Sequence, residues 1–194
     1  MKSTLKITTL VLALAGFTLS AKAQTNPTST KTTASGIRYS IGVDAGIPTG
    51  KLADNYNWNL GGSLQADIPV ASQLFVTVNV GYNNIFGKDV TVGATTVKAT
   101  NIQLLPVKAG LKFFPVQNFY IQGEAGAAFV LNKTKIGADN STVFIYAPQI
   151  GYQFALSGSN YIDAGVRYEA STKLISTVND SKVNFVGLRA AYGF

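Results

Sequence analysis

The 194-residue chain contains no cysteine and no histidine, and each absence removes a class of chemistry. Without cysteine there is no disulfide, no thiolate nucleophile and no residue to carry a lipid anchor after a leader. Without histidine, the usual base beside a nucleophilic serine and the commonest zinc ligand are gone. No motif supports a Ser/Lys or paired-carboxylate site in their place. The glycine-rich stretches GVDAG and GEAGAAF lack the Gly-Lys-Ser/Thr of a phosphate-binding loop. The expectation is a protein that is not an enzyme, with no catalytic, metal or cofactor-binding residues and no cofactor.

Long hydrophobic runs are scarce as well. After the first residues no segment approaches 18 consecutive apolar positions, which excludes helical membrane spans but not spanning strands. The one apolar run, Leu10 to Leu19, follows Lys2 and Lys6 and precedes Ala21-Lys22-Ala23, the layout of a secretory signal peptide cleaved before Gln24. A membrane anchor would need about 20 apolar residues. Loss of residues 1–23 would remove three lysines and lower the net charge from +7 to +4. The remaining basic residues stand singly, with no cluster that could track a phosphate backbone, so nucleic acid is not expected as a partner.

What the sequence does have is alternation. Residues 24–36 are rich in Thr and Ser without apolar periodicity, the composition of a disordered periplasmic lead-in. From 37 to 194 a period of two runs almost without interruption. Tyr39, Ile41, Val43 and Ala45 alternate with Ser40, Gly42, Asp44 and Gly46, and similar runs begin near Trp58, Leu74, Asn101, Phe119, Thr142, Tyr161 and Val183. Eight strands follow, joined alternately by long segments (48–57, 83–100, 130–141, 170–182) and short ones (69–73, 114–118, 155–160). This is the plan of an all-β, eight-stranded antiparallel up-and-down transmembrane barrel with short periplasmic turns and longer extracellular loops. Pro106 and Pro148 fall inside strands, where bulges are expected. The phase change between Leu104 and Leu105 predicts one in the fourth strand.

The charges decide which face is wet. Asp44, Asp67, Lys108, Lys112, Glu124, Asp163, Arg167, Glu169 and Arg189 share one face with Gly42, Gly81, Gly110, Gly126 and Gly165, whereas the opposite face is uncharged. A narrow barrel must be filled by its own side chains, and large polar groups there need small neighbours, so the charged face is the lumen. Acids and bases of equal parity predict a mutually neutralising plug rather than a cation site. Lys108 is expected beside Glu124 across a hairpin, and Arg189 near Asp44 or Asp163 if the barrel closes. Aromatics gather at strand ends: Tyr39, Phe113, Phe119, Tyr152, Phe154, Tyr192 and Phe194 at the short-turn end, and Trp58, Tyr82, Phe129, Phe144, Tyr146 and Tyr168 at the other. Two membrane girdles would place them so.

The chain ends GLRAAYGF, with Leu188, Ala190, Tyr192 and Phe194 on one face. That ending resembles the C-terminal assembly signal of outer-membrane barrels. With GVDAGIPTGKLADNY, GGSLQADIPV, LPVKAGLKFFP and APQIGYQF it makes residues 37–194 similar to the small outer membrane β-barrel, or porin-family, proteins of Gram-negative bacteria, of the eight-stranded OmpA/OmpX-like type. The resemblance implies the bacterial outer membrane as the location. It also implies lipid and lipopolysaccharide as surroundings, the barrel-assembly machinery as partner of the last strand, and a monomer. Two roles stay open: a filled barrel that acts structurally or through surface loops, and a narrow pore or carrier of small hydrophobic molecules. A soluble periplasmic ligand-binding barrel is disfavoured by the uncharged outer face.

Overall fold

A computed structural model describes residues 36–92 and 95–194. The expected signal peptide and, but for Gly36, the expected lead-in lie outside the described residues. Along the chain come β1 (Arg38–Pro48), α1 (Leu52–Asn55), β2 (Tyr56–Ala71), β3 (Leu74–Gly87), β4 (Asp89–Val92), β5 (Thr95–Lys98), β6 (Ile102–Val116), β7 (Phe119–Val130), α2 (Lys133–Ile136), β8 (Thr142–Ala155), β9 (Tyr161–Lys173) and β10 (Lys182–Gly193). All strands except β4 and β5 join one closed antiparallel barrel in the order β1-β2-β3-β6-β7-β8-β9-β10. The seam between β1 and β10 runs in register from Ser40↔Gly193 to Pro48↔Phe185. Closure pairs every wall strand on both sides and leaves no free edge in an apolar solvent.

The period of two becomes an inside and an outside. Burial alternates residue by residue along β1 and β10, and the outer wall carries large apolar side chains left bare: Val43, Leu64 and Leu188 are each at least 60% exposed. A water-facing surface of this kind would be unstable, whereas hydrocarbon accepts it. The girdle aromatics point outward at both ends, with Trp58 stacked on Phe86 at 4.2 Å between ring centroids.

Four expectations need correction. The fourth wall strand, β6, has no bulge at Pro106. Its register with β7 is constant from Leu104↔Val130 to Phe113↔Ile121, and its ladder with β3 opens after Val80↔Val107 and resumes unshifted at Asn83↔Leu104. Pro106 turns inward beside Gly81, where a side chain would come within 3.4 Å of its ring. The missing N–H is therefore absorbed by an opened stretch of ladder rather than an inserted residue. Pro148 keeps its pairing with Gly123, and the ladder to β9 omits it without a shift. The register shifts lie instead near strand ends, at Tyr56/Trp58, Pro69/Ala71, Phe113/Val116 and Lys182/Asn184. Finally, 83–100 is not all loop: β3 continues to Gly87, and β4 pairs with β5 in a separate hairpin.

The phase break read at Leu104 and Leu105 has another origin. Ile102 and Leu104 point into the lumen, as do Ile85, Val143, Ile145 and Phe185, all at the long-loop end. Leu52 of α1, Ala138 after α2 and Leu174 after β9 fold over them, with Ile136 and Ile175 packed alongside. An apolar core therefore caps one half of the lumen while the charges fill the other.

Candidate functional site: the filled lumen

Register puts the charged side chains of six strands into one layer. Asp44 (β1) lies directly across the closing seam from Arg189 (β10), 3.6 Å away, and also holds Arg167 of β9 in an ion pair. The Ser63 hydroxyl donates to Asp44 at 2.7 Å and accepts from Arg189. Lys108 (β6) reaches Glu169 (β9) across the barrel at 2.7 Å and Glu124 (β7) at 3.5 Å. Lys112, two inward steps along β6 past Gly110, meets Asp67 (β2) at 2.8 Å and Asp163 (β9) at 3.5 Å. Arg38 adds a fifth cation at the short-turn end, 3.5 Å from Asp67 and 4.3 Å from the centre of the Phe75 ring.

Neutral polar side chains complete the layer. Tyr120 donates to Asp163 at 2.7 Å, and the Gln153 amide donates to the other oxygen of the same carboxylate at 2.9 Å. Gln65 donates to Asp67 at 2.7 Å and accepts from Asn79 and Gln122. Thr77 donates to Glu124 at 3.3 Å. Charges removed from water persist only when paired and hydrogen-bonded, and here five acids face five bases with these dipoles between. The glycines make the room: a side chain at Gly165 would sit 2.7 Å from the Tyr120 hydroxyl, and one at Gly42 would sit 3.2 Å from the Arg189 guanidinium.

All nine charges expected in the lumen are buried there, and each joins at least one ion pair. Of the two acids proposed for Arg189, it takes Asp44, while Asp163 goes to Lys112, Tyr120 and Gln153. Leu188, Ala190, Tyr192 and Phe194 line the outer face of β10 and stay outside the network. Alternation alone could have found Gln65, Asn79, Gln122, Gln149 and Gln153, which share the inward parity. It could not have found the inward aromatics Phe75, Tyr120 and Tyr161, which look like any girdle residue. Asn59, fully buried, holds both amide atoms without a hydrogen-bond partner.

Chemically the layer holds charge in place. The Ser63 hydroxyl is committed to a carboxylate and a guanidinium, neither of which activates it as an imidazole would. Among the described residues no group of three or more His, Cys, Asp or Glu side chains is placed to hold a metal ion.

The sequence profile described as "Outer membrane protein beta-barrel domain" matches residues 9–194. No curated protein matches the chain. Among solved structures it is similar to OprG of Pseudomonas aeruginosa, with 14% identity over 81% of this chain and 95% of that one and a TM-score of 0.48. The outer membrane protein AlkL in DMPC bilayers is 15% identical over 89% and 96% of the two chains, with a TM-score of 0.49. Ail of Yersinia pestis, in complex with the heparin analogue sucrose octasulfate, is 20% identical over 81% and 97%, with a TM-score of 0.47.

Proposed function

We infer, for a chain that belongs to the outer membrane protein β-barrel domain family, a closed barrel of the bacterial outer membrane that does not conduct and acts through the surface of its long loops. The two-tiered filling of the lumen carries this reading. A layer of paired charges is followed by an apolar cap, and Ile85, Leu104, Ile145, Lys108, Lys112 and Arg167 are each at most 3% exposed. An ion would have to break salt bridges and then cross hydrocarbon side chains, two barriers in series. The long-loop end offers exposed lysines, such as Lys135 and Lys182, to anionic lipopolysaccharide or another surface. The same reading has the chain exported by a cleaved signal peptide in a Gram-negative cell. The final strand is handed to the barrel-assembly machinery, and the barrel works as a monomer without enzymatic chemistry.

Planar-bilayer recording of the refolded protein tests it. No unitary current is expected from the wild type, and deletion of Leu174 to Ser181 with its cap residues should admit at most brief openings while the charge layer stands. Steady unitary conductance in the wild type would instead favour a narrow pore or a carrier of small hydrophobic molecules.

A further inference from the structure

At the long-loop end the barrel wall is built differently between β8 and β10. The ladder from β8 to β9 stops at Ile145↔Ser171, and beyond it the Phe144 N–H donates to Thr172 Oγ1 at 3.1 Å. On the other side of β9 the register shifts between Lys182 and Asn184. There the Val183 N–H donates to Ser171 Oγ at 2.8 Å, and the Ser171 N–H donates to Asn184 Oδ1 at 3.4 Å. Side chains thus replace backbone acceptors and hold the strands slightly apart. The result is a groove of about 560 Å³. Ala170 is its floor, paired with Tyr146 on one side and Asn184 on the other, and Phe144, Lys173 and Lys182 are among its walls.

The two lysines are unbalanced. Lys173 and Lys182 occupy directly opposed cross-strand positions, an arrangement that repels. Lys173 Nζ donates to the neutral Asn179 carbonyl, and Asn140 pins the Lys173 backbone by donating to its carbonyl at 3.0 Å. Among the described residues neither lysine has a carboxylate within ion-pair distance. No acid lines the groove, and the nearby Asp139 accepts from the Ser176 N–H. Phe144 and Tyr146 lie on the outer face, 54% and 47% exposed, at the level where aromatic belts meet lipid headgroups.

We propose that this groove binds the phosphorylated headgroup of an outer-leaflet glycolipid, the phosphate between Lys173 and Lys182 and the apolar part of the lipid along Phe144 and Tyr146. The site deepens the surface-interaction reading and rests on it for which end faces outward. A phosphate there turns a repulsive lysine pair into two charge-assisted contacts. The aromatic side of the groove, Phe144 and Tyr146 on the lipid-facing surface, favours a membrane lipid over free phosphate.

The full chain, refolded in phosphatidylcholine vesicles with or without diphosphorylated lipid A, provides the test. Retained lipid is counted by native mass spectrometry after detergent extraction, and folding of each variant is verified by heat-modifiable migration. The wild type should keep the diphosphorylated lipid and not its dephosphorylated form. K173Q/K182Q should retain it about fivefold less for each lysine lost, whereas K51Q/K98Q, which removes the same charge elsewhere in the loops, should behave as wild type. K182Q supplies a second readout: without lipid A its urea midpoint should equal or exceed that of wild type, and with lipid A it should fall below. Equal retention by K173Q/K182Q, an equal loss in K51Q/K98Q, retention of the dephosphorylated lipid, or full displacement by inorganic phosphate would each overturn the proposal. Bilayer conductance does not depend on these lysines, so a failure here and a failure of the closed-barrel reading are separable.

Discussion

Lys108 shows how one residue depends on three strands. Its ammonium lies between Glu124 and Glu169, and all three side chains are essentially without solvent. Removing one partner of a buried pair costs about 3–5 kcal/mol, because the survivor stays desolvated, whereas removing the set can be nearly neutral. Lys108→Met should therefore destabilise the barrel by about that amount, and Lys108→Met/Glu169→Gln, which removes the closest pair and keeps buried acids and bases equal in number, should recover most of it. Urea unfolding in lipid vesicles measures both, and a double variant no more stable than the single one would show that charge balance is not what the lysine supplies. The neighbour Glu124 could be read from the hairpin, being one diagonal step from Lys108 in the β6–β7 register. Glu169 could not, since its distance from Lys108 is set by the curvature of four strands.

Along one element, β7, two glycines do opposite work. Gly126 faces inward against β6, and a Cβ there would lie 2.8 Å from the Lys108 Cα and 3.0 Å from the Val107 carbonyl carbon. Gly123 faces outward with nothing within 4 Å. Gly126→Ala should cost about 1–3 kcal/mol by forcing the strands apart. Gly123→Ala should gain about 0.5–1 kcal/mol by restricting the unfolded chain. Comparing the two unfolding midpoints measures the difference, and equal effects would mean that the close approach of β6 and β7 is not tight. The same element scale explains the misread phase of β6. Leucine or isoleucine on a strand looks outward-facing in a membrane barrel, but at the capped end of this lumen Ile102 and Leu104 have apolar company inside.

For the whole molecule, the closing seam is the decisive feature. Phe194 donates its N–H to the Tyr39 carbonyl at 2.9 Å and accepts from the Tyr39 N–H at 3.1 Å, with its ring 6.4 Å from that of Tyr39 and 6.3 Å from that of Tyr192. Deleting Phe194 removes two hydrogen bonds and both ring contacts where first and last strands meet, a loss of about 1–3 kcal/mol. The heat-modifiable, folded fraction in outer membranes should fall while export continues. Normal yield of that fraction would show that the seam closes without its last residue.

Strand number, the two faces, the girdles and the membership of the charge layer follow from the sequence itself, because a period of two is a property of the local backbone and needs no tertiary information. The partners within the layer, the apolar cap folded in from the loops, the straight passage of β6 through Pro106 and the lysine-lined groove beside β9 were decided only by the tertiary structure. Each depends on which residues of distant strands arrive at the same height, and that height is set when the β1–β10 seam closes.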